Sequence, residues 1–158
     1  MTDVAARDPF RIAACAYLVY GIVYLIGGLY LVSHGVGVAG GRTSGAIGPA
    51  MLRWGLIGAI PLIGIPLLLS RPWSRLGGWV SRRTFAWLVS LLLALRAFKV
   101  GEFALRGGAG VPAPWGGEIS FRAGATVFLV VTLMALGFVL RAAWMGDGAP
   151  AAPRAPRR

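Results

Sequence analysis

Residues 84–106 read TFAWLVSLLLALRAFKVGEFALR, and this stretch decides how the rest of the sequence is interpreted. A helix that crosses a bilayer needs about 20 mostly apolar residues, and the stretch has that length. It nevertheless contains Arg96, Lys99 and Glu102. A charge at the centre of a membrane helix costs about 2.5 kcal/mol or more unless it pairs, reaches the headgroups or meets water. These three residues, with Arg106 at the end of the stretch, therefore form the predicted ligand-binding or partner-binding site.

The helix predicted from this stretch has two distinct faces. At about 100° per residue its small residues fall on one face, with Ala94 and Gly101 among them, and its charged residues lie roughly opposite. Small residues let membrane helices approach closely, so we expect this face to pack against the bundle. The charged stripe then points away from it, toward another helix, a water-filled vestibule, lipid or a second protein.

Three interpretations of the charged stripe remain open. In the first, Lys99 and Arg106 extend to the outer headgroups while Glu102 pairs with them at helical spacing. In the second, the stripe lines an outward-facing vestibule that binds an anion or a lipid headgroup. In the third, it is a docking site for a larger membrane complex. Arg96 fits the first interpretation least well, because about ten residues at 1.5 Å each separate it from the helix end.

The composition indicates a multi-pass membrane protein. Of the 158 residues, 57% are hydrophobic and 13% are charged, and the mean hydropathy is +0.73, which is too apolar for an ordinary soluble domain. We predict an all-α bundle of four transmembrane helices forming one domain over residues 1–145, followed by a disordered Ala/Pro/Arg-rich tail over 146–158. The predicted spans cover about residues 12–33, 50–70, 84–106 and 121–144.

The distribution of arginine predicts the orientation. Ten arginines fall at the termini and between spans two and three, whereas four fall on the opposite side. By the positive-inside rule both termini are cytoplasmic, and we expect a location in the bacterial cytoplasmic (inner) membrane. The same rule accounts for the net charge of +11, so no nucleic-acid partner is expected. Contacts with anionic membrane lipids are predicted for the basic and aromatic residues between spans two and three, namely Arg71, Trp73, Arg75, Trp79, Arg82 and Arg83.

Small residues and prolines predict the packing of the first two spans. Ala14, Gly21 and Gly28 recur every seven residues, a spacing that indicates close contact with a neighbouring helix. Pro61 and Pro66 lie inside the second span, where each removes a backbone hydrogen-bond donor. We therefore expect a kink in the second helix.

No motif in the chain indicates an enzyme. Cys15 is the only cysteine and His34 the only histidine, so the sequence offers neither a disulfide nor a set of metal ligands. We expect no cofactor. The sequence favours a non-enzymatic accessory or scaffold subunit that docks a membrane-protein partner or an anionic lipid headgroup through the third helix. The alternative is a small carrier, assembled as a homo-oligomer, for an anion or a proton-coupled solute.

The overall layout is also similar to that of known proteins. The first span is rich in Tyr and Gly, residues 68–75 read LLSRPWSR, and a loop rich in Gly and Pro precedes the fourth span. In these features the chain resembles small four-helix bacterial membrane proteins of uncharacterised function. The resemblance implies the same four-helix fold and carries over no functional residue.

Overall fold

Four helices account for most of the part of the chain that the structure describes. The computed structural model describes residues 8–36, 49–70, 81–108 and 110–145, and for 49–57 it describes the backbone alone. The prediction of four long helices is confirmed, and a short hairpin is added to it. The elements are α1 (Pro9–Ser33), α2 (Pro49–Ser70), α3 (Arg82–Arg106), β1 (Val111–Pro112), β2 (Glu118–Ile119) and α4 (Phe121–Met145).

Polar residues just outside the apolar runs set the helix ends. Asp8 caps α1, because its Oδ1 accepts a hydrogen bond from Phe10 N at 3.0 Å. Ser81 caps α3 in the same way, accepting from Thr84 N at 3.0 Å. Gly107 ends α3 with φ of 73°, a conformation that residues with a side chain rarely adopt. As a result, α1 and α3 each begin slightly earlier than the apolar runs alone predict.

The helix α4 lies at the centre of the packing. It packs most extensively against α3 and less extensively against α1, which also contacts α2, whereas α2 and α3 touch only slightly. The main core lies where α1 begins and α4 ends. Small residues of α4 let α3 approach closely there. The buried residues of this core are Phe10, Ala13, Ala14, Tyr17, Tyr20, Leu69, Ala86, Val89, Leu93, Ala135, Val139, Ala142 and Ala143.

The outer surface of the helices is apolar. Large side chains on all four helices are well exposed, among them Ile26 at 62%, Ile60 at 70% and Phe98 at 68%. Soluble monomers rarely expose apolar surface on this scale. Within the described residues, α1 and α4 are long and apolar enough to cross a membrane. The part of α2 whose side chains are described, Gly58–Ser70, is a shorter apolar helical segment. The fold is therefore a helical one with two helices that are able to span a bilayer.

Arg82 connects the ends of three helices. Its Nη2 lies 3.0 Å from Asp8 Oδ2, and its Nε donates to Leu69 O at 2.8 Å, a carbonyl that also accepts from Nη2. The guanidinium lies 4.1 Å from the centre of the Phe10 ring. A carboxylate and a helix-terminal carbonyl of the protein hold the guanidinium of Arg82, and its predicted lipid contact stays a prediction. Arg83 is exposed. The other predicted lipid-contact residues, Arg71, Trp73, Arg75 and Trp79, lie outside the described residues, as does the tail over 146–158.

The packing face of α3 is turned relative to the prediction. Ala94 is exposed, and a Cβ added to Gly101 would meet no described atom within 4 Å. The predicted packing role of these two residues is supported by no contact among the described residues and stays a prediction. The packing face is turned because α4 supplies the small residues of the contact between α3 and α4. The larger side chains of Val89 and Leu93 on α3 can therefore occupy this contact. The buried residues of α3 are Ala86, Val89, Ser90, Leu93, Ala97, Val100 and Ala104.

The three small residues that recur every seven positions on α1 differ in their surroundings. A Cβ added to Gly21 would lie 3.0 Å from Leu62 Cδ2, so α1 and α2 approach closely at this level. Ala14 is buried in the main core. Gly28 has no described atom within 4 Å of an added Cβ. Among the described residues, α1 therefore approaches α2 closely at Gly21 and not at Gly28.

The helix α2 continues through both of its prolines. Pro66 is buried and Pro61 is exposed. Each proline leaves a carbonyl one turn earlier without its usual backbone partner. The kink expected from this loss stays a prediction.

Candidate functional site

A cavity of about 640 Å³ lies between α1, α3, α4 and the hairpin. Small-molecule sites commonly have volumes of about 300–1,000 Å³. We call this space the Arg96 cavity. Its walls are mostly apolar, and its two basic groups come from α3. The described lining residues are Val23, Tyr24, Gly27, Gly28, Tyr30, Leu31, Arg96, Lys99, Val100, Phe103, Val111, Trp115, Ile119, Ser120, Phe121, Ala123, Gly124, Ala125, Val127 and Phe128.

The hairpin closes one end of the Arg96 cavity. β1 and β2 pair antiparallel, with Val111 opposite Ile119, and Gly116 permits the turn at φ of 94°. The Tyr30 hydroxyl of α1 donates a hydrogen bond to Pro112 O. The hairpin is thereby held against α1, and the Gly- and Pro-rich loop before the fourth helix forms a wall of the cavity.

Arg96 extends from α3 into the cavity. Its guanidinium carbon lies 4.6 Å from the centre of the Tyr24 ring, which is a cation–π geometry. Tyr20 is a further neighbour of the guanidinium and interacts with it through charge and through a side-chain hydrogen bond. Arg96 Nε is buried and has no hydrogen-bond partner among the described residues. Leaving a buried donor unpaired is unfavourable. Because Arg96 also lines the cavity, its charge favours an anionic acceptor there.

Aromatic rings form the wall on which Arg96 lies. The Phe128 ring of α4 is 5.5 Å from the Tyr20 ring and 5.7 Å from the Tyr24 ring, measured between centroids. Tyr20 and Tyr24 stack on each other one turn apart, at 6.4 Å. Contacts of this kind add to the apolar area that the rings bury. The cluster joins α1 to α4 and fixes the ring on which the guanidinium rests.

The four residues of the predicted charged site do not all meet at the cavity. Lys99 lines the cavity beside Arg96, and its Nζ lies 3.8 Å from Glu102 Oε2. The Lys99 side chain is 67% exposed, so the ion pair is weak. Glu102 and Arg106 are not among the described lining residues, and Arg106 is exposed. The structure thus brings two cations together at the cavity and leaves the carboxylate at its margin.

Glycines on two helices account for much of the open space. A Cβ added to Gly27, Gly28 or Gly124 would meet no described atom within 4 Å. Sequence reasoning did not assign Tyr24, Gly27 or Gly124 to the site. The i, i+4 spacing of Tyr20 and Tyr24 was the one available signal, since it places both rings on the same side of α1.

The described lining provides cationic and apolar groups that can bind a ligand. The described lining residues include neither a carboxylate nor an imidazole, the usual general bases. No group of three His, Cys, Asp or Glu among the described residues is arranged to hold a metal ion. No family model, curated protein or solved structure matches this chain.

Proposed function

We propose that this chain is a multi-pass membrane protein that binds an anionic headgroup at Arg96 and Lys99 and catalyses no reaction. In this proposal four helices cross the bilayer and both termini are cytoplasmic. The observation that carries the binding function is the position of Arg96 and Lys99 in the wall of a cavity whose other described lining residues carry no charge.

The charge and geometry of the cavity support an anion as the bound group. Two cations line it, and the Glu102 carboxylate offsets only the more exposed of them. A guanidinium presents several donors in a fixed plane, which suits the oxygens of a carboxylate or phosphate. The Tyr24 ring lies over a face of the guanidinium and Tyr20 is a hydrogen-bond partner of it, so an anion would bind to the donors of Arg96 that these two residues leave available.

The apolar exterior supports the membrane location. Exposed aliphatic and aromatic side chains occur on α1, the described part of α2, α3 and α4. Burying such side chains in lipid is favourable by about 25 cal/mol per Å². The excess of arginine at the termini and between α2 and α3 supports the proposed orientation.

Cysteine labelling tests the orientation. Cys15 is exposed and is first replaced by Ser, and single cysteines are then introduced at Arg83 and at Pro114, both of which are exposed. In intact cells a membrane-impermeant maleimide should label position 114 and not position 83. Labelling of position 83 under these conditions would contradict the proposed topology.

Lipid binding by the purified protein tests the function. Native mass spectrometry would count bound phosphatidylglycerol, which is anionic, and phosphatidylethanolamine, which has no net charge. We expect Arg96→Leu to reduce phosphatidylglycerol binding at least about tenfold, the effect of losing one charged hydrogen bond of roughly 1.5–3 kcal/mol. Arg106→Leu is the matched control, because it removes the same charge from the same helix outside the cavity. Equal binding by the parent and Arg96→Leu would exclude the proposal, as would co-purification of a stoichiometric membrane protein that occupies the cavity in place of lipid.

A further inference from the structure

We infer that the ligand of the Arg96 cavity is an amphiphile, with an anionic head at Arg96 and a hydrocarbon chain inside the cavity. The inference rests on the proposed function, since it assumes that an anion binds at Arg96. It adds the chemical class of the ligand and the position of its apolar part.

The character of the walls points to a hydrocarbon chain. Apart from its two cations, the described lining is dominated by aliphatic, aromatic and glycine residues, including Val23, Val127 and Phe128. The cavity of about 640 Å³ is far larger than a carboxylate or phosphate group requires. A small anion alone would leave most of this apolar surface uncovered, whereas a hydrocarbon chain would bury it.

The cavity is accessible from the outer surface of the helices. Gly124 lines it and is exposed, and Val127, one turn further along α4, is 61% exposed. In a bilayer this side of α4 would face lipid, so a chain could enter laterally while its head reaches the α3 wall. The absence of a side chain at Gly27 and Gly124 leaves the space through which the chain would lie.

Carboxylates of increasing chain length test the inference. The purified protein in one detergent would be titrated with acetate, octanoate and palmitate, and with hexadecanol as a neutral long-chain control. Each methylene that enters the cavity should strengthen binding roughly threefold to fourfold. Because longer chains also partition into micelles, the informative quantity is the ratio of dissociation constants between a variant and the parent for the same ligand.

A cavity-filling substitution supplies that ratio. Gly124→Leu places a side chain in the open space, and we expect it to raise the palmitate dissociation constant about tenfold while leaving the acetate constant unchanged. Gly137→Leu is the matched control, because Gly137 is also exposed on α4 with no described atom within 4 Å of an added Cβ, and it does not line the cavity. Should Gly124→Leu fail to fold by circular dichroism, Gly27→Leu enters the same space from α1 and gives the same comparison.

The outcomes separate the inference from the proposed function. If Arg96→Leu binds every ligand as the parent does, the proposed function fails and the inference fails with it. If Arg96→Leu weakens binding but Gly124→Leu and Gly27→Leu leave palmitate binding unchanged, an anion binds at Arg96 and the inference alone is overturned. Binding of hexadecanol as tightly as palmitate would also overturn it, because the head would then contribute nothing.

Discussion

Replacing Arg96 by Leu should leave the fold intact or make it more stable, although the residue is partly buried. Two opposing contributions decide this. The cation–π contact with Tyr24, at 4.6 Å, stabilises the native state by about 0.5–2 kcal/mol. In the proposed membrane orientation, holding a guanidinium within the α3 span costs about 2.5–3.5 kcal/mol. The difference favours Leu by about 0.5–3 kcal/mol, which is a rise in Tm of a few degrees for a chain of this length.

The measurement is thermal unfolding in lipid nanodiscs, followed by circular dichroism, for the parent, Arg96→Leu and Arg106→Leu. The exposed Arg106 serves as control because surface substitutions usually change stability by no more than about 0.5 kcal/mol. A double-mutant cycle with Tyr24→Leu should give a coupling energy no larger than the cation–π contact, about 2 kcal/mol. A fall in Tm of more than about 4 °C for Arg96→Leu would refute the reasoning, since Arg96 would then hold the fold together rather than serve a ligand.

The remaining predictions concern the contacts that hold the cavity in place. Arg82→Ala should destabilise the protein by about 2–4 kcal/mol, because it removes several charged hydrogen bonds at once, whereas its exposed neighbour Arg83→Ala should have little effect; equal losses in thermal unfolding would contradict the assigned role. Gly21→Leu should lower Tm and Gly137→Leu should not, because only Gly21 has a side chain of another helix 3.0 Å from an added Cβ. Tyr30→Phe should weaken the hairpin by about 1 kcal/mol through the loss of one hydrogen bond, seen as faster amide exchange in residues 110–119; unchanged exchange would show that apolar contacts alone hold the hairpin.

The sequence predicts the helices well because local signals define them. Long runs of mostly apolar residues, with Asp8, Ser81 and Gly107 at their ends, determine where α1 and α3 start and where α3 stops. The hairpin also has a local signal in the sequence, since a Gly116–Gly117 pair between two short strands is typical of a tight turn. Arg82 had none, because its partner Asp8 lies 74 positions away in the chain.

The orientation of α3 could not be predicted from α3 alone. Its small residues suggested one packing face, but the buried residues centre on Ala86, Leu93 and Val100. At about 100° per residue this turns the buried face by about 40° toward Arg96, and so brings that residue to the border of the bundle. The turn depends on α4, where residues such as Ala135 and Ala142 leave room for the larger side chains of α3. A rule that assigns the contact to small residues is therefore correct only when the partner helix supplies the large ones.

Two glycines also show that the role of a small residue depends on the helix that faces it. Gly21 and Gly124 both lie in long apolar helices, and the sequence favours a packing role for both. The structure places Leu62 against the first and no described atom within 4 Å of an added Cβ at the second, so one glycine permits contact and the other leaves space. Charge identified Arg96 from the sequence because an arginine within a membrane helix requires an explanation wherever its neighbours lie. Apart from Lys99, the described residues that line the cavity around this arginine are uncharged, and their role follows only from what the facing helices present to them.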